Sequence, residues 1–406
     1  MNLIIAQSGG PTSVINSSLA GAISAGIDNN FENIYLSLHG IEGILEDEVL
    51  SVDKDKFESQ DIKTKLMARP SSILGSCRYK LPEDFSNDDY GKIFKTLKQY
   101  EISTFVYIGG NDSMDTVMKL NNYMDQNSIE GINILGCPKT IDNDLMEMDH
   151  SPGFASTAKF VAQTLRAMRT DVDIYDLKSV TFVEIMGRNA GWLAASSLVA
   201  NYKMEKDVVN LVYVPEKSVK LSDVVTEIKE AFESESNLIV AIAEGFMDSE
   251  EKLALEKFQN TADGFNHKIV SGLSARLADM MREDLGVKSR AVELNIPQRT
   301  GLLISETDAT EAYTLGYKAV EIGIKISNQI PVLKRKEGLD YEVYYESVHP
   351  DQIANKESVI PEEWLESKDT LEEKMIAYTL PLIQGEVEQT YEDGMPVFVN
   401  LDEFVK

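Results

Sequence analysis

Short apolar runs that stop at glycine alternate with stretches of helical periodicity along most of the chain. Residues 2–7 are such a run, and residues 14–26 after the turn Ser8-Gly9-Gly10 have the small-residue pattern of a helix. The same pattern predicts further strands at residues 34–38, 104–108 and 132–135. Alternating strands and helices predict an α/β fold with a mainly parallel sheet that is covered on both faces.

A long helical stretch over residues 155–169 precedes a second set of predicted strands, at residues 179–185, 210–214 and 237–243. Residues 290–305 also have strand character and are predicted to return the chain to the first domain, before a helix over residues 308–324. We therefore predict two Rossmann-like domains with an active site in the cleft between them. Their predicted extents are residues 1–153 plus about 298–330 and residues 154–297, with residues 331–406 as a C-terminal extension packing on the core.

Composition narrows the functional classes. With 406 residues and 43% hydrophobic content, the chain can bury more than one core. Its net charge of -28 argues against binding nucleic acid or an anionic membrane. The two cysteines have no metal-ligand spacing, and no run has signal-peptide character or membrane-spanning length. We expect a soluble cytoplasmic protein. Because the chain is so acidic, its few clustered basic residues mark candidate binding sites for phosphate groups.

Two glycine-containing turns follow predicted strands, where parallel sheets bind their ligands. Gly10 lies in the first, and the second carries the amide of Asn111, the carboxylate of Asp112 and the hydroxyl of Ser113. Such a turn suits a phosphate with Mg²⁺. The alternative is a helix cap, in which Asp112 or Ser113 satisfies backbone N–H groups.

The block of residues 138–144 places Asp142 and Asp144 two positions apart and close to Lys139. Like charges this close repel, so the pair favours a cation or a proton-transfer task over a solvated acidic loop. Arg188 and Glu244 end two other predicted strands and are candidates for binding phosphate and a sugar hydroxyl. A surface ion pair or a buried salt bridge is the alternative for each. The same alternative applies to the remaining arginines at small-residue or strand-end positions, Arg69, Arg78, Arg290 and Arg299.

The order and spacing of these blocks resemble those of the phosphofructokinase family. The blocks that carry the resemblance lie at residues 9–10, 74–78, 109–113, 138–144, 186–188, 244 and 290–299. The resemblance implies that Asp142 is the general base for the 1-hydroxyl of fructose 6-phosphate, and that Asn111 and Asp144 hold Mg²⁺. It implies a donor site made of Gly10, Arg78, Asp112, Ser113 and Lys139. The implied sugar-phosphate site comprises Thr140, Ile141, Asp142, Met186, Gly187, Arg188, Glu244, Arg290, Gln298 and Arg299.

The donor is predicted from two positions of this resemblance. Family members that use ATP have glycine where this chain has Asp112 and Lys139, whereas those that use pyrophosphate have Asp and Lys. A carboxylate at Asp112 would fill the space of a nucleotide α-phosphate with negative charge. Two such charges about 4 Å apart repel by roughly 4 kcal/mol at an effective dielectric of about 20, on the order of a thousandfold in affinity. A plain loop salt bridge is the alternative for this pair.

Two positions depart from the family pattern. Asn111 stands where relatives often have a metal-binding Asp, and Ile296 stands where many have a His or Tyr that contacts the sugar phosphate. We expect Lys318 or Tyr313 to replace the second contact. Because relatives receive one phosphate-binding arginine from a neighbouring subunit, the resemblance also implies a homodimer or homotetramer.

The leading hypothesis is a reversible, pyrophosphate-dependent phosphorylation of fructose 6-phosphate with Mg²⁺. An ATP-dependent kinase of the same fold or a sedoheptulose 7-phosphate kinase is the alternative within the family. A non-catalytic phosphosugar sensor is a third hypothesis, and the intact carboxylates of Asp142 and Asp144 argue against it.

Overall fold

A computed structural model of the chain describes residues 1–58, 61–249, 272–338 and 340–406. A five-stranded sheet with the order β3-β2-β1-β4-β5 occupies the N-terminal part, and only the edge strand β3 is antiparallel among these described strands. Its strands are β1 (Asn2–Gln7), β2 (Asn33–Ser37), β3 (Val49–Ser51), β4 (Ile102–Gly109) and β5 (Asn133–Pro138). The accompanying helices are α1 (Ile15–Asp28), α2 (Ile41–Leu45), α3 (Lys54–Glu58), α4 (Asp61–Ala68), α5 (Asp88–Gln99) and α6 (Asn111–Gln126).

A second, four-stranded parallel sheet follows, with the order β7-β8-β6-β9. Its strands are β6 (Ser179–Ile185), β7 (Leu211–Tyr213), β8 (Asn237–Ala243) and β9 (Lys288–Glu293). The helices are α7 (Phe154–Val172), α8 (Trp192–Ser196), α9 (Leu221–Ala231) and α10 (Leu273–Leu285). Strands β6 and β8 are buried throughout because helices cover both faces, whereas the edge strand β9 is half exposed.

After the short helix α11 (Pro297–Thr300), helix α12 (Glu306–Gly323) brings the chain back to the first sheet, where it packs against α1. Glycines allow this close approach. A Cβ at Gly21 would lie 1.9 Å from the carbonyl oxygen of Tyr313, and one at Gly316 would lie 1.9 Å from that of Ser18. Larger side chains at either glycine would force the two helices apart.

The C-terminal extension contains two antiparallel hairpins and one longer helix. Its elements are β10 (Ile330–Arg335), β11 (Val343–Val348), α13 (Lys368–Thr379), β12 (Tyr391–Glu392) and β13 (Met395–Pro396). The first hairpin forms a sheet of its own that lies beside β5, where Gly136 donates a backbone hydrogen bond to Gln329 in an isolated bridge. Phe404, near the C-terminus, is buried in the core of that same sheet.

The predicted α/β class and mainly parallel sheets are confirmed, and the strands at residues 2–7, 179–185 and 237–243 have the predicted bounds. The prediction for residues 290–305 is wrong in two respects. Strand β9 ends at Glu293, and Pro297 opens a helix, because proline suits the first helical turn and removes a ladder donor. Strand β9 also pairs with β6, so it belongs to the second sheet.

The division of the chain at residues 153, 297 and 330 stays a prediction. Within the described ranges, no helix has both the length and the apolar character needed to cross a bilayer. Both cysteines, Cys77 and Cys137, are free and buried.

Candidate active site

A cleft of about 960 Å³ opens between the carboxyl ends of the two sheets. We call the part built by the loops after β1, β4 and β5 the first-sheet side, and the part built by α11 and the loops after β6 and β8 the second-sheet side. Most predicted site residues line it: Gly10, Arg78, Asn111, Asp112, Ser113, Lys139, Thr140, Ile141, Asp142, Asp144, Met186, Arg188, Glu244 and Arg299.

The first-sheet side is built around the ammonium of Lys139, which is 2% exposed. Gly9 has a φ of +74°, and a Cβ there would lie 3.1 Å from the Lys139 Nζ. A Cβ at Gly110 would lie 3.9 Å from the same nitrogen. The positive φ favours glycine at residue 9, and the ammonium of Lys139 lies close to the backbone of both glycine turns.

Helix α6 begins at Asn111 directly after Gly110, and its first turn faces the cleft. The N-cap of this helix is Gly110, which has no side chain, and the alternative role of Asp112 or Ser113 in satisfying backbone N–H groups stays a prediction. Ser113 forms a hydrogen bond with Ser8 across the two glycine turns. The open helix N-terminus and its partial positive charge favour an anion at this point.

Asp142 and Asp144 lie deep in the cleft beside Lys139. Burial raises the pKa of Asp142, while the charges of Arg188 and Lys139 oppose that rise. Burial and the charge of Asp142 raise the pKa of Asp144 to about 7. Burial lowers the pKa of Lys139 to about 8, although both carboxylates favour its charged form. The charges of Arg188 and Lys139 favour the ionised form of Asp142, which is the form that a general base needs.

Asn143, between these carboxylates, adopts a φ of +59° that its side chain supports from two directions. Its Nδ2 donates to the hydroxyl of Tyr378 at 2.8 Å, and its Oδ1 accepts from the backbone N–H of Ser151 at 2.8 Å. Tyr378 in turn donates to the carbonyl of Asp149 at 2.6 Å. Helix α13 of the extension therefore fixes the backbone that carries both candidate catalytic carboxylates.

His150 anchors the far end of this loop. Its Nδ1 lies 2.8 Å from Asp149 and its Nε2 lies 2.7 Å from Glu311 of α12, with the ring almost wholly buried. Although burial disfavours its charge, the carboxylates of Glu311 and Asp149 raise the pKa of His150 to about 9. The protonated ring and the two carboxylates together form a buried ionic link between the loop and α12.

The second-sheet side gathers guanidinium groups. Arg188 lies 3.3 Å from Glu244, and burial with the charge of Asp142 raises the pKa of Glu244 to about 6. A Cβ at Gly10 would lie 3.5 Å from Nη1 of Arg299, and the Arg299 Nε is buried without a hydrogen-bond partner among the described residues. Burial and the charge of Arg78 lower the pKa of Arg299. Repulsion between these cations makes the cleft a site for a polyanion.

Three predicted residues lie outside the cleft lining. Gly187, with a φ of +128°, shapes the turn after β6. Gln298 is buried and accepts a hydrogen bond at 3.1 Å from the backbone N–H of Met186, so it holds that turn. Arg290 lies on β9, the last strand of the sheet that the described strands form, and pairs with the carboxylate of Asp171 at 4.0 Å. One chain does not bring Arg290 to the cleft that the described residues form.

The expected replacement for the contact at Ile296 is wrong. Tyr313 and Lys318 lie on α12, where Tyr313 packs on the first-sheet core and Lys318 pairs with Glu321 at 2.7 Å. Ile296 itself is 61% exposed.

Sequence reasoning missed several cleft residues. Lys80 lies two positions after Arg78 in the same segment, and its basic charge in so acidic a chain was a usable signal. Asn189 lies beside Arg188 on the second-sheet side. Asn355 and Glu357 come from the extension, whose generally charged composition gave no sign of them.

The extension also changes the interpretation of Asn111. Its Nδ2 donates to the carbonyl of Lys356 at 2.6 Å, and its Oδ1 accepts from the backbone N–H of Asn355 at 2.6 Å. Both ends of the amide are engaged, so Asn111 is primarily a contact to the extension. Its predicted role as a metal ligand stays a prediction.

Comparison with known proteins gives a consistent result. The family model described as Phosphofructokinase matches residues 2–323. A Halomonas elongata protein named pyrophosphate–fructose 6-phosphate 1-phosphotransferase is 33% identical, with 98% of this chain and 96% of that protein covered. A protein of Alkalicoccus urumqiensis named sulfofructose kinase is 30% identical, with 92% and 94% covered. The crystal structure of pyrophosphate-dependent phosphofructokinase from Nitrosospira multiformis is 30% identical, superposes with a TM-score of 0.86, and covers 100% of this chain and 97% of its own.

Proposed function

The chain belongs to the phosphofructokinase family, and on that premise we propose that it transfers a phosphoryl group from pyrophosphate to the 1-hydroxyl of fructose 6-phosphate. The products are phosphate and fructose 1,6-bisphosphate, and the reaction is reversible. The observation that carries this proposal is the joint placement of Asp112 and Lys139 on the first-sheet side of one cleft.

These two side chains account for the choice of donor. The Asp112 carboxylate occupies the start of α6, where a third phosphate of a nucleotide would meet like charge. The Lys139 ammonium, reached through the two glycine turns, is positioned to neutralise a short donor. With its pKa lowered to about 8 by burial, Lys139 is mostly protonated at neutral pH and can stabilise charge that develops on the leaving phosphate.

Asp142 is proposed to accept the proton of the sugar 1-hydroxyl as that oxygen attacks. Burial raises the pKa of Asp142, and the charges of Arg188 and Lys139 oppose that rise. Burial, in turn, makes that carboxylate a stronger base than one in water. Arg78 and Arg299 bear charge that matches the transferred phosphoryl group, and Arg188 and Glu244 suit the sugar and its phosphate.

The residues present fit a Mg²⁺ ion that is shared with the donor. Among the described residues, no group of three or more His, Cys, Asp or Glu side chains could hold a metal by itself. Mg²⁺ commonly binds one or two carboxylates and completes its shell with substrate phosphates and water. Asp144, whose pKa of about 7 reflects burial and repulsion from Asp142, is the ligand that gains most from a cation. When bound, Mg²⁺ supplies neutralisation of the phosphate charge.

We propose that a second copy of the chain completes the second-sheet side with its Arg290. Strand β9 is an open sheet edge, and Ile174 and Tyr175 beside it are 60% and 49% exposed. Lys288 of the same strand stacks over Tyr175 at 4.9 Å. An open edge with exposed apolar neighbours supports an interface at this edge and therefore at least a homodimer.

Sulfofructose is a second candidate acceptor, because the relative named sulfofructose kinase covers nearly the whole chain. A sulfonate carries one negative charge where a phosphate ester carries about two near neutral pH. The cluster of Arg188 and Arg299, extended by Arg290 from a second copy, favours the phosphate.

The test compares donors and acceptors on the purified protein. Pyrophosphate and ATP are supplied with fructose 6-phosphate, sulfofructose or sedoheptulose 7-phosphate, with and without Mg²⁺. We expect turnover with pyrophosphate, fructose 6-phosphate and Mg²⁺ together, and recovery of pyrophosphate from the products in reverse. Turnover with ATP and none with pyrophosphate would overturn the donor, and absence of turnover with every pair would favour a phosphosugar sensor.

A further inference from the structure

Residues 355–358 of the C-terminal extension, which we call the strap, cross the cleft between its two sides. Ile353, before the strap, is buried in a cluster with Met114 of α6. Ile360, after the strap, is buried in the core of the second sheet together with Trp192. Because each flank is anchored on a different sheet, the strap is held over the cleft by buried apolar contacts at both ends.

Polar contacts fix the strap to the first-sheet side. It engages both ends of the Asn111 amide at 2.6 Å, and the Asn355 Nδ2 donates to Asp115 of α6 at 2.9 Å. The backbone N–H of Ser358 donates to the carbonyl of Asp144 at 2.8 Å. The strap therefore touches two turns of the proposed active site. One carries Asp112, which we propose selects the donor, and the other carries Asp142, the proposed general base.

A second set of contacts fixes the strap to the second-sheet side. Asn189, next to Arg188, donates to the carboxylate of Glu357. The Trp192 Nε1 donates to the carbonyl of Ser358 at 3.1 Å. With both sides bound, the strap closes the cleft on the side where α6 begins.

The strap contributes negative charge and volume to the cleft lining. Asn355 and Glu357 line it together with Asp112. Asn111 is adjacent to Asp112 in the first turn of α6 and is bound to the strap backbone, so a donor that extends past Asp112 toward Asn111 approaches the strap.

We propose that the strap is a second donor-selectivity element, which excludes nucleoside triphosphates independently of Asp112 by obstructing the space that the nucleoside end would need. This inference rests on the proposed pyrophosphate-dependent function. Pyrophosphate ends at its second phosphate and fits beneath the strap, whereas ATP carries a further phosphate and a nucleoside. Removing Asp112 alone therefore leaves ATP obstructed.

The test is a cycle of four proteins: the native chain, Asp112→Gly, a strap variant with Asn355→Gly and Glu357→Ala, and the combination of all three changes. Glycine suits residue 355, where φ is +59°. For each protein, kcat/KM is measured with pyrophosphate and with ATP at saturating fructose 6-phosphate. We expect the strap changes to raise the ATP-to-pyrophosphate ratio about tenfold in the Asp112→Gly background, the order of effect of one charge removed near a polyanion.

Two further variants separate selectivity from folding. Glu357→Gln keeps the shape of the strap and is expected to raise the ratio in the same direction by a smaller factor. Glu363→Gln removes one exposed charge of the same extension outside the cleft lining and is expected to leave the ratio unchanged. Thermal unfolding of each variant identifies any that fail to fold.

A ratio that stays within about twofold in the Asp112→Gly background overturns the proposal, as does an equal loss with both donors, which indicates a structural role. Calorimetric titration with Mg·ATP and Mg·pyrophosphate gives the same comparison without turnover. If the native chain showed no pyrophosphate turnover, the proposed function would fail, while the titration would still decide whether the strap excludes ATP.

Discussion

The two sides of the cleft differ in how completely one chain builds them. On the first-sheet side, Lys139 is buried near carboxylates and close to two glycine turns, and the strap lines the same cleft. On the second-sheet side, Arg290 remains on an open strand edge away from the cleft. The first-sheet side is thus built by one chain, whereas we propose that a neighbouring copy completes the second-sheet side. Substitutions on the two sides should consequently affect chemistry and substrate binding in different ways.

The largest expected effect is that of Asp142→Asn. Asparagine preserves the shape of the side chain and cannot accept the proton, so kcat should fall by about 10²- to 10⁴-fold, with KM values little changed. Steady-state kinetics with pyrophosphate measure this, and Asp125→Asn on the exposed end of α6 is the control. A loss smaller than tenfold would remove Asp142 from the role of base and weaken the assignment of chemistry to the first-sheet side.

Lys139→Met should have the next largest effect. Its pKa of about 8 means that the ammonium is charged below pH 8 and loses its proton as the pH rises through that value. Turnover of pyrophosphate by the native protein should therefore decline above about pH 8. The variant should lack this decline in turnover at alkaline pH, and its kcat/KM should be about 10²- to 10³-fold lower.

The control for this experiment is Lys92→Met, which alters an exposed lysine on α5 that pairs with Asp89. If turnover of the Lys139→Met protein still declined above about pH 8, that decline would be due to another titrating group.

Arg290→Ala tests the other side. If Arg290 serves the site of a neighbouring copy, KM for fructose 6-phosphate should rise about 10- to 100-fold, with little change in KM for pyrophosphate. Arg282→Ala, an exposed arginine on α10 that pairs with Asp279, is the control. An unchanged KM for fructose 6-phosphate would show that one chain builds the whole sugar-phosphate site. The two sides of the cleft would then not differ in this respect.

Mixing chains makes this test sharper. In a dimer that combines an Asp142→Asn chain with an Arg290→Ala chain, one site has its own Asp142 and its partner's native Arg290. Half of randomly formed dimers are mixed, so about a quarter of the sites should regain full activity. Absence of recovery in dimers shown to exchange subunits would contradict the shared site.

The smallest expected effect is that of Tyr378→Phe. The variant loses the hydroxyl that supports Asn143 between the two carboxylates, a hydrogen bond worth about 1 kcal/mol. We expect kcat to fall about fivefold with KM values unchanged, since the loop holds reacting groups. Tyr391→Phe, on the exposed second hairpin, is the control. Equal kcat in the two variants would mean that α13 does not position the loop.

The sequence was sufficient for what depends on local pattern. Strands bounded by glycine were located closely, and Asp112, Lys139 and Asp142 follow β4 and β5 at the sheet edge where parallel sheets bind ligands. The strap could not be predicted, because its contacts with Asn111 join residues some 240 positions apart and use the backbone of Lys356. Backbone donors and acceptors leave no trace in residue identity.

Long-range packing also explains the errors. Tyr313 and Lys318 were plausible substitutes for a missing contact, but their helix turns them toward α1 and solvent. The strand assigned to residues 290–305 was too long because apolar residues there continue past Pro297. Apolar character alone does not separate a strand from a buried helical turn.

The contact between α1 and α12 has a consequence for synthesis of the protein. The first sheet begins at residue 2, yet its core includes Leu315 and Val320 of α12 and Phe404 near the C-terminus. The first sheet therefore has an unfilled apolar face until residue 404 has been made. At translation speeds of about 5–20 residues per second, that interval lasts on the order of half a minute. The growing chain needs protection from aggregation during this time, and the second sheet also waits for the extension, because Ile360 belongs to its core.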